Sequence, residues 1–164
     1  MMAKLMLIGV NLIMKYLILF VAFFAFGAKA QQVQPCFDGA QIPYRATAEA
    51  IAEPWEANTR SFADGKVRIA VMDTFEPAYG AYYLMVMYWA GDESELRICD
   101  LVSQGEVGFV GMTLEGMEAS YKPGLGLVLR VPTTFYNPAE DEFEEGVIEV
   151  VIDRAANRIM ASRP

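Results

Sequence analysis

The chain has 164 residues, 13 basic and 21 acidic side chains, a net charge of −8 and no histidine. The missing imidazole removes the commonest general base and metal ligand, and the acidic excess opposes binding to phosphate backbones and anionic headgroups. Nucleic-acid binding and peripheral membrane docking therefore lack their electrostatic driving force.

At the N-terminus Lys15 precedes the apolar run Tyr16–Phe26, and Gly27-Ala28-Lys29-Ala30 follows it. A basic start, a short apolar stretch and small residues at the −3 and −1 positions are the three parts of a secretory signal. Residues 1–30 are expected to be a signal peptide cut between Ala30 and Gln31, with Met14 as the expected true start. An uncleaved anchor would need about 20 apolar residues, and the run after Lys15 is shorter than that. Export to the periplasm or the medium follows. The leader takes Lys4, Lys15 and Lys29 with it, leaving ten basic residues against 21 acidic ones, net −11.

The remaining 134 residues suit one domain with a genuine core. Two cysteines survive, Cys36 and Cys99, and an oxidising compartment favours a disulfide between them. That bridge would staple an N-terminal arm, residues 31–45, to a β-rich domain at 46–164.

Residues 46–61 hold good helix formers, but Pro54 interrupts them. A short helix ending before Pro54, or an extended arm leading to Trp55, is expected. Lys66–Met72 alternates, with Val67, Ile69 and Val71 on one face, as a half-buried strand does. Ala81–Trp89 is apolar on both faces and belongs at the centre of a sheet covered on both sides. Glu95–Val102, Val107–Leu114 and Met117–Tyr121 are further strand candidates. Leu125–Val131 predicts a strand with Leu125, Leu127, Leu129 and Val131 inward, and Pro132 to Pro138 a polar loop. Val147–Asp153 and Ile159–Arg163 predict a terminal hairpin. Six to eight short strands so spaced predict an all-β antiparallel sandwich or barrel. The alternative is α+β, with 46–61 packed as a helix on one sheet.

Four patterns bear on function. Glu140-Asp141-Glu142-Phe143-Glu144-Glu145 offers oxygen ligands for calcium, but without the interleaved glycine of a calcium loop it reads as a solvated charged loop. Met72, Met85, Met87, Met112, Met117 and Met160 are soft donors for Cu(I), yet their strand spacing among rings reads as core. No metal or cofactor is expected. The rings Tyr79, Tyr82, Tyr83, Tyr88 and Trp89, with Trp55, form either a ligand platform or part of the core. Tyr83, Tyr88 and Trp89 are the candidate ligand-binding residues. Lastly, Asp73, Glu76, Asp100, Glu115 and Glu118 fall near strand ends, where a carboxylate pair would serve a glycosidase. Catalytic residues are not assigned, because no nucleophile or phosphate-cradling motif is present. A non-catalytic exported binding domain, its partner an envelope protein or a saccharide, is the leading expectation. A small carboxylate-based hydrolase of polysaccharide or peptidoglycan is the alternative.

Overall fold

A computed structural model describes residues 29–37, 44–75, 80–91 and 95–164. Residues 1–28 of the leader expected at 1–30 lie outside them, while its last two, Lys29 and Ala30, are described. Among the described residues there are eleven strands, all paired antiparallel, in two sheets. They are β1 (Lys29–Ala30), β2 (Gln32–Pro35), β3 (Thr59–Phe62), β4 (Val67–Asp73), β5 (Tyr82–Trp89), β6 (Arg97–Ser103), β7 (Gly111–Met112), β8 (Glu118–Lys122), β9 (Gly126–Asn137), β10 (Glu142–Asp153) and β11 (Arg158–Arg163).

The first sheet runs β2-β6-β5-β4-β3 and the second β1-β11-β10-β9-β7, with β8 also paired to β9. Between them lies the main core. Val67, Ile69 and Val71 of β4 and Leu84, Val86 and Tyr88 of β5 face Leu127, Leu129, Val131, Ile148, Val150 and Ile152 of the second sheet. The all-β sandwich is thus the observed architecture. β5 sits at the middle of its sheet, as its two apolar faces require.

The outer face of the first sheet carries a second core. Ala70, Met72, Tyr83, Met85 and Leu101 are buried there with Cys36 and Ala50, and Ala46, Ile51 and Cys99 pack around them. Cys36 and Cys99 form the expected disulfide, with their Cα atoms 5.3 Å apart. The first sheet is therefore covered by its own N-terminal segment, and the bridge holds one end of that cover. The N-terminal strand also changes sheets. Lys29 and Ala30 pair with Arg163 and Ser162 of β11, whereas Gln32 to Pro35 pair with β6.

Several local expectations are corrected. Helix formation falls after Pro54, not before it: a four-residue helix covers Trp55–Asn58, and the preceding residues make two 3-10 turns, Tyr44–Ala46 and Ala48–Ala50. Pro54 suits the position that precedes a helix, where no amide hydrogen is needed. Residues 132–138 are not a loop, because β9 runs through Pro132 to Asn137 and the acidic segment from Glu142 on is strand. Pro132 is tolerated in the gap on that edge of β9, between the pairing of Arg130 with β8 and that of Thr133 with β7. Leu125 is exposed instead of inward. It closes a turn in which the Leu125 N–H donates to the Lys122 carbonyl over Pro123 and Gly124, the latter at φ +77°. This is the Pro-Gly pattern of a type II turn. Val107–Leu114 yields only the short β7, with single bridges at Val107 and Phe109.

At that bridge the two sheets touch through their backbones. The Gly108 N–H donates to Gly80 O (2.8 Å), and Phe109 and Tyr82 exchange bonds of 2.7 and 3.0 Å. A Cβ on Gly108 would lie 2.4 Å from Tyr82 O, so only glycine admits the approach. At the far end, Arg154 donates to the carbonyls of Trp89 and Gly91, tying the β10–β11 turn to the end of β5.

Candidate functional site

The proposed aromatic platform is divided by the fold. Tyr83 is in the outer core and Tyr88 in the inter-sheet core, both essentially inaccessible. Trp89 is half-buried at the strand end beneath the Arg97 guanidinium, 4.7 Å from its ring. These three rings therefore present no common open face. Tyr79 lies outside the described residues. Burial pushes the Tyr88 phenol up, and the Asp100 charge adds to it.

The acidic segment is engaged in its own hairpin. The Tyr136 hydroxyl donates to Asp141 (2.7 Å), the Thr134 hydroxyl to Glu145 (3.0 Å), and Arg163 pairs with Glu144 at 2.7 Å. Among the described residues no three acidic or cysteine side chains converge as metal ligands. The methionines disperse: Met72 and Met85 lie in the outer core, Met112 and Met117 pack on the main core, and Met160 is on the surface.

Sequence reasoning missed a cleft of about 810 Å³ at one edge of the sandwich. Three segments wall it. The first is the segment Glu49–Asn58, which bridges β4 through Ile51 and Met72, then turns away and returns to the sheet as β3. The second is the β4–β5 end, with Asp73, Phe75 and Tyr82, and the third is Met112, Thr113 and Glu115 of the second sheet. Four carboxylates line it: Glu49, Glu53, Asp73 and Glu115. Arg60 is the guanidinium in the wall. Its Nη1 donates to the carbonyls of Glu56, Ala57 and Thr59, closing the end of the short helix.

The apolar lining is aromatic and aliphatic. Phe75 is 78% exposed with a backbone φ of +61°, a conformation rare for a bulky residue and found where neighbouring structure imposes it. Asp73 Oδ1 accepts from the Phe75 N–H (2.9 Å) and helps to hold that turn. Tyr82 is the register partner of Asp73 across β4 and β5. Its phenol is pushed up by burial, and further by the charge of Asp73 and a hydrogen bond to it. Trp55, 45% exposed, follows the lining residue Pro54 in the chain and is not itself in the cleft wall.

Of the acids near strand ends, Asp73 and Glu115 come together in this cleft, while Glu118 pairs loosely with Arg130 at 3.8 Å. Glu76 lies outside the described residues. Asp100 stands on β6, outside the cleft wall, and burial pushes its carboxyl up. No linear spacing joins Glu49, Glu53, Asp73 and Glu115; the β3–β4–β5 topology and the Gly80–Gly108 contact do. Comparison with known protein families, with characterised proteins and with solved structures finds no match for the chain.

Proposed function

We propose that the protein is exported and works as a non-catalytic binding domain, receiving a cationic, partly apolar group in the cleft beneath Phe75 and Tyr82. The observation that carries this reading is the grouping of four carboxylates with Phe75, Tyr82 and Met112 in one recess, where among the described residues they outnumber the single guanidinium, Arg60, whose Nη1 is turned to carbonyls of the chain itself. Carboxylates attract an ammonium or guanidinium head, and the rings accommodate its apolar stem, adding a cation–π contribution. A basic segment of an envelope protein fits this chemistry better than a neutral saccharide does. The leader pattern and the Cys36–Cys99 bridge support an oxidising destination.

A hydrolase would need one acid held protonated opposite an ionised one in the same cleft. Asp100, a carboxyl that burial pushes up, is not in that wall. Titration with the tripeptide Lys-Phe-Lys, followed by Trp55 fluorescence and calorimetry, tests the reading. Saturable binding is expected, weakening with salt and roughly tenfold weaker in an E53Q/E115Q variant, as the loss of two charge contacts predicts. Absence of binding, together with release of reducing ends from peptidoglycan, would overturn it in favour of the hydrolase.

A further inference from the structure

We propose that β8 is a self-association edge, on which a second copy of this chain pairs its own β8 antiparallel about Ser120. β8 hangs beyond the sandwich: all five of its residues, Glu118 to Lys122, are exposed, and none contributes to either core. Its inner edge pairs with β9, and among the described residues no strand pairs with its outer edge. An open edge presents a row of backbone donors and acceptors that a further strand satisfies.

The sequence of the strand names the occupant. In an antiparallel pair about a two-fold axis through Ser120, Glu118 of one copy stands opposite Lys122 of the other at both ends of the ladder, and Ala119 stands opposite Tyr121. Opposite charges placed across a strand pair are favourable. A parallel alignment would set Glu118 against Glu118 and Lys122 against Lys122, so the same charges reject it. Lys122 is one of two lysines in the chain beyond residue 30, and between two acidic molecules this arrangement places it against a carboxylate. The Glu118 side chain is 78% exposed despite its 3.8 Å approach to Arg130 and is available for the contact. The pairing is isologous and closes at two copies, joining the two second sheets into one. A five-residue ladder buries less than the roughly 1,200 Å² of a stable interface, so the association is weak and concentration-dependent.

Sedimentation of the purified protein over a concentration series is expected to show a monomer–dimer equilibrium. E118K alone and K122E alone each place like charges at both ends of the ladder. Each is expected to weaken dimerisation roughly tenfold while circular dichroism stays native. Mixing the two variants restores opposite charges at both ends, and native mass spectrometry is expected to show the heterodimer in preference to either homodimer. A monomer at every soluble concentration overturns the proposal. So does a dimer whose strength neither substitution changes, or a mixture that shows no preference for the heterodimer.

Discussion

Gln104 and Tyr136 exchange two hydrogen bonds: the Gln104 carboxamide donates to the Tyr136 carbonyl (2.6 Å) and accepts from the Tyr136 N–H (3.1 Å). The side chain thus imitates a strand backbone, linking the residue after β6 in the first sheet to β9 in the second. At neutral pH a carboxamide offers a donor and an acceptor in that arrangement, whereas an ionised carboxylate only accepts. Q104A leaves both Tyr136 groups half-buried without this partner, and a loss of about 1–2 kcal/mol in urea unfolding is expected. Q104E is expected to cost more at neutral pH, because its carboxylate cannot donate and instead faces a carbonyl. Below the carboxylate range the protonated acid can donate again, so the gap between the two variants should close. A gap independent of pH would count against the double bond.

The disulfide should matter beyond its own two residues. It closes a sequence separation of 63, which in the chain-entropy account is worth on the order of 4 kcal/mol. It also anchors the segment that buries Tyr83, Met85 and Leu101 on the outer face. A C36A/C99A variant is expected to unfold at lower urea by roughly that amount. Hydrogen exchange should rise first in β2 and in the outer-face residues of β5 and β6, while β9 and β10 keep their protection. Uniform loss across both sheets would show that the cover and the sandwich are one cooperative unit.

The legible parts of the fold were those whose side chains state their surroundings. Ala81–Trp89 is apolar on both faces, so its central position could be read directly. Val67, Ile69 and Val71 alternate against Lys66 and Arg68, and their shared face is the core face. Pro132 misled because a proline usually ends a strand, and its tolerance here depends on β7 and β8 leaving a gap at that register. Leu125 followed the alternation but fell in the turn before β9, where periodicity no longer applies. The cleft was illegible for a different reason. Asp73 and Glu115 are visible as acids near strand ends, yet only the crossing of Gly80 with Gly108 brings the second sheet beside β5 there. The helix formers of 46–58 gave no sign that they would wall it.

The tyrosines make the fold sensitive to alkali. Burial pushes the phenols of Tyr82, Tyr83 and Tyr88 above their ordinary value of 10.0; at Tyr83 the Arg45 guanidinium, 5.1 Å from the ring centre, pulls the other way. The folded state therefore holds phenolic protons that the unfolded chain releases. Their contribution to stability is complete below pH 10 and is lost as pH rises through the folded values. Urea stability should fall with pH above about 10, and the part of the phenolate absorbance due to these three buried tyrosines should appear together with unfolding. The Tyr83 hydroxyl is fully buried and, though the Gly108 backbone lies near enough to oppose the rise of its phenol, it makes no well-formed hydrogen bond among the described residues. Y83F is accordingly expected to stabilise the protein by about 1 kcal/mol at neutral pH and to shallow its alkaline decline. A destabilised Y83F would reveal a bond that the hydroxyl makes.

Gly108 links stability to the proposed binding. A methyl group there would meet Tyr82 O at 2.4 Å and Gly80 O at 2.5 Å, both backbone atoms that cannot rotate aside. G108A must therefore part the two segments, breaking the Phe109–Tyr82 bonds and shifting Tyr82 within the cleft wall. Overpacking of this kind costs about 1–3 kcal/mol. A stability loss in that range is expected, together with weaker Lys-Phe-Lys binding at temperatures where the variant remains folded. G105A, at a glycine with no atom within 4 Å of its added Cβ, is the control. It carries the penalty of a left-handed backbone, φ +69°, without touching the cleft, so it should lower stability and leave affinity unchanged. If G108A keeps full affinity, Tyr82 is not positioned by this contact, and the cleft's aromatic wall must be held by Asp73 and the turn at Phe75 instead.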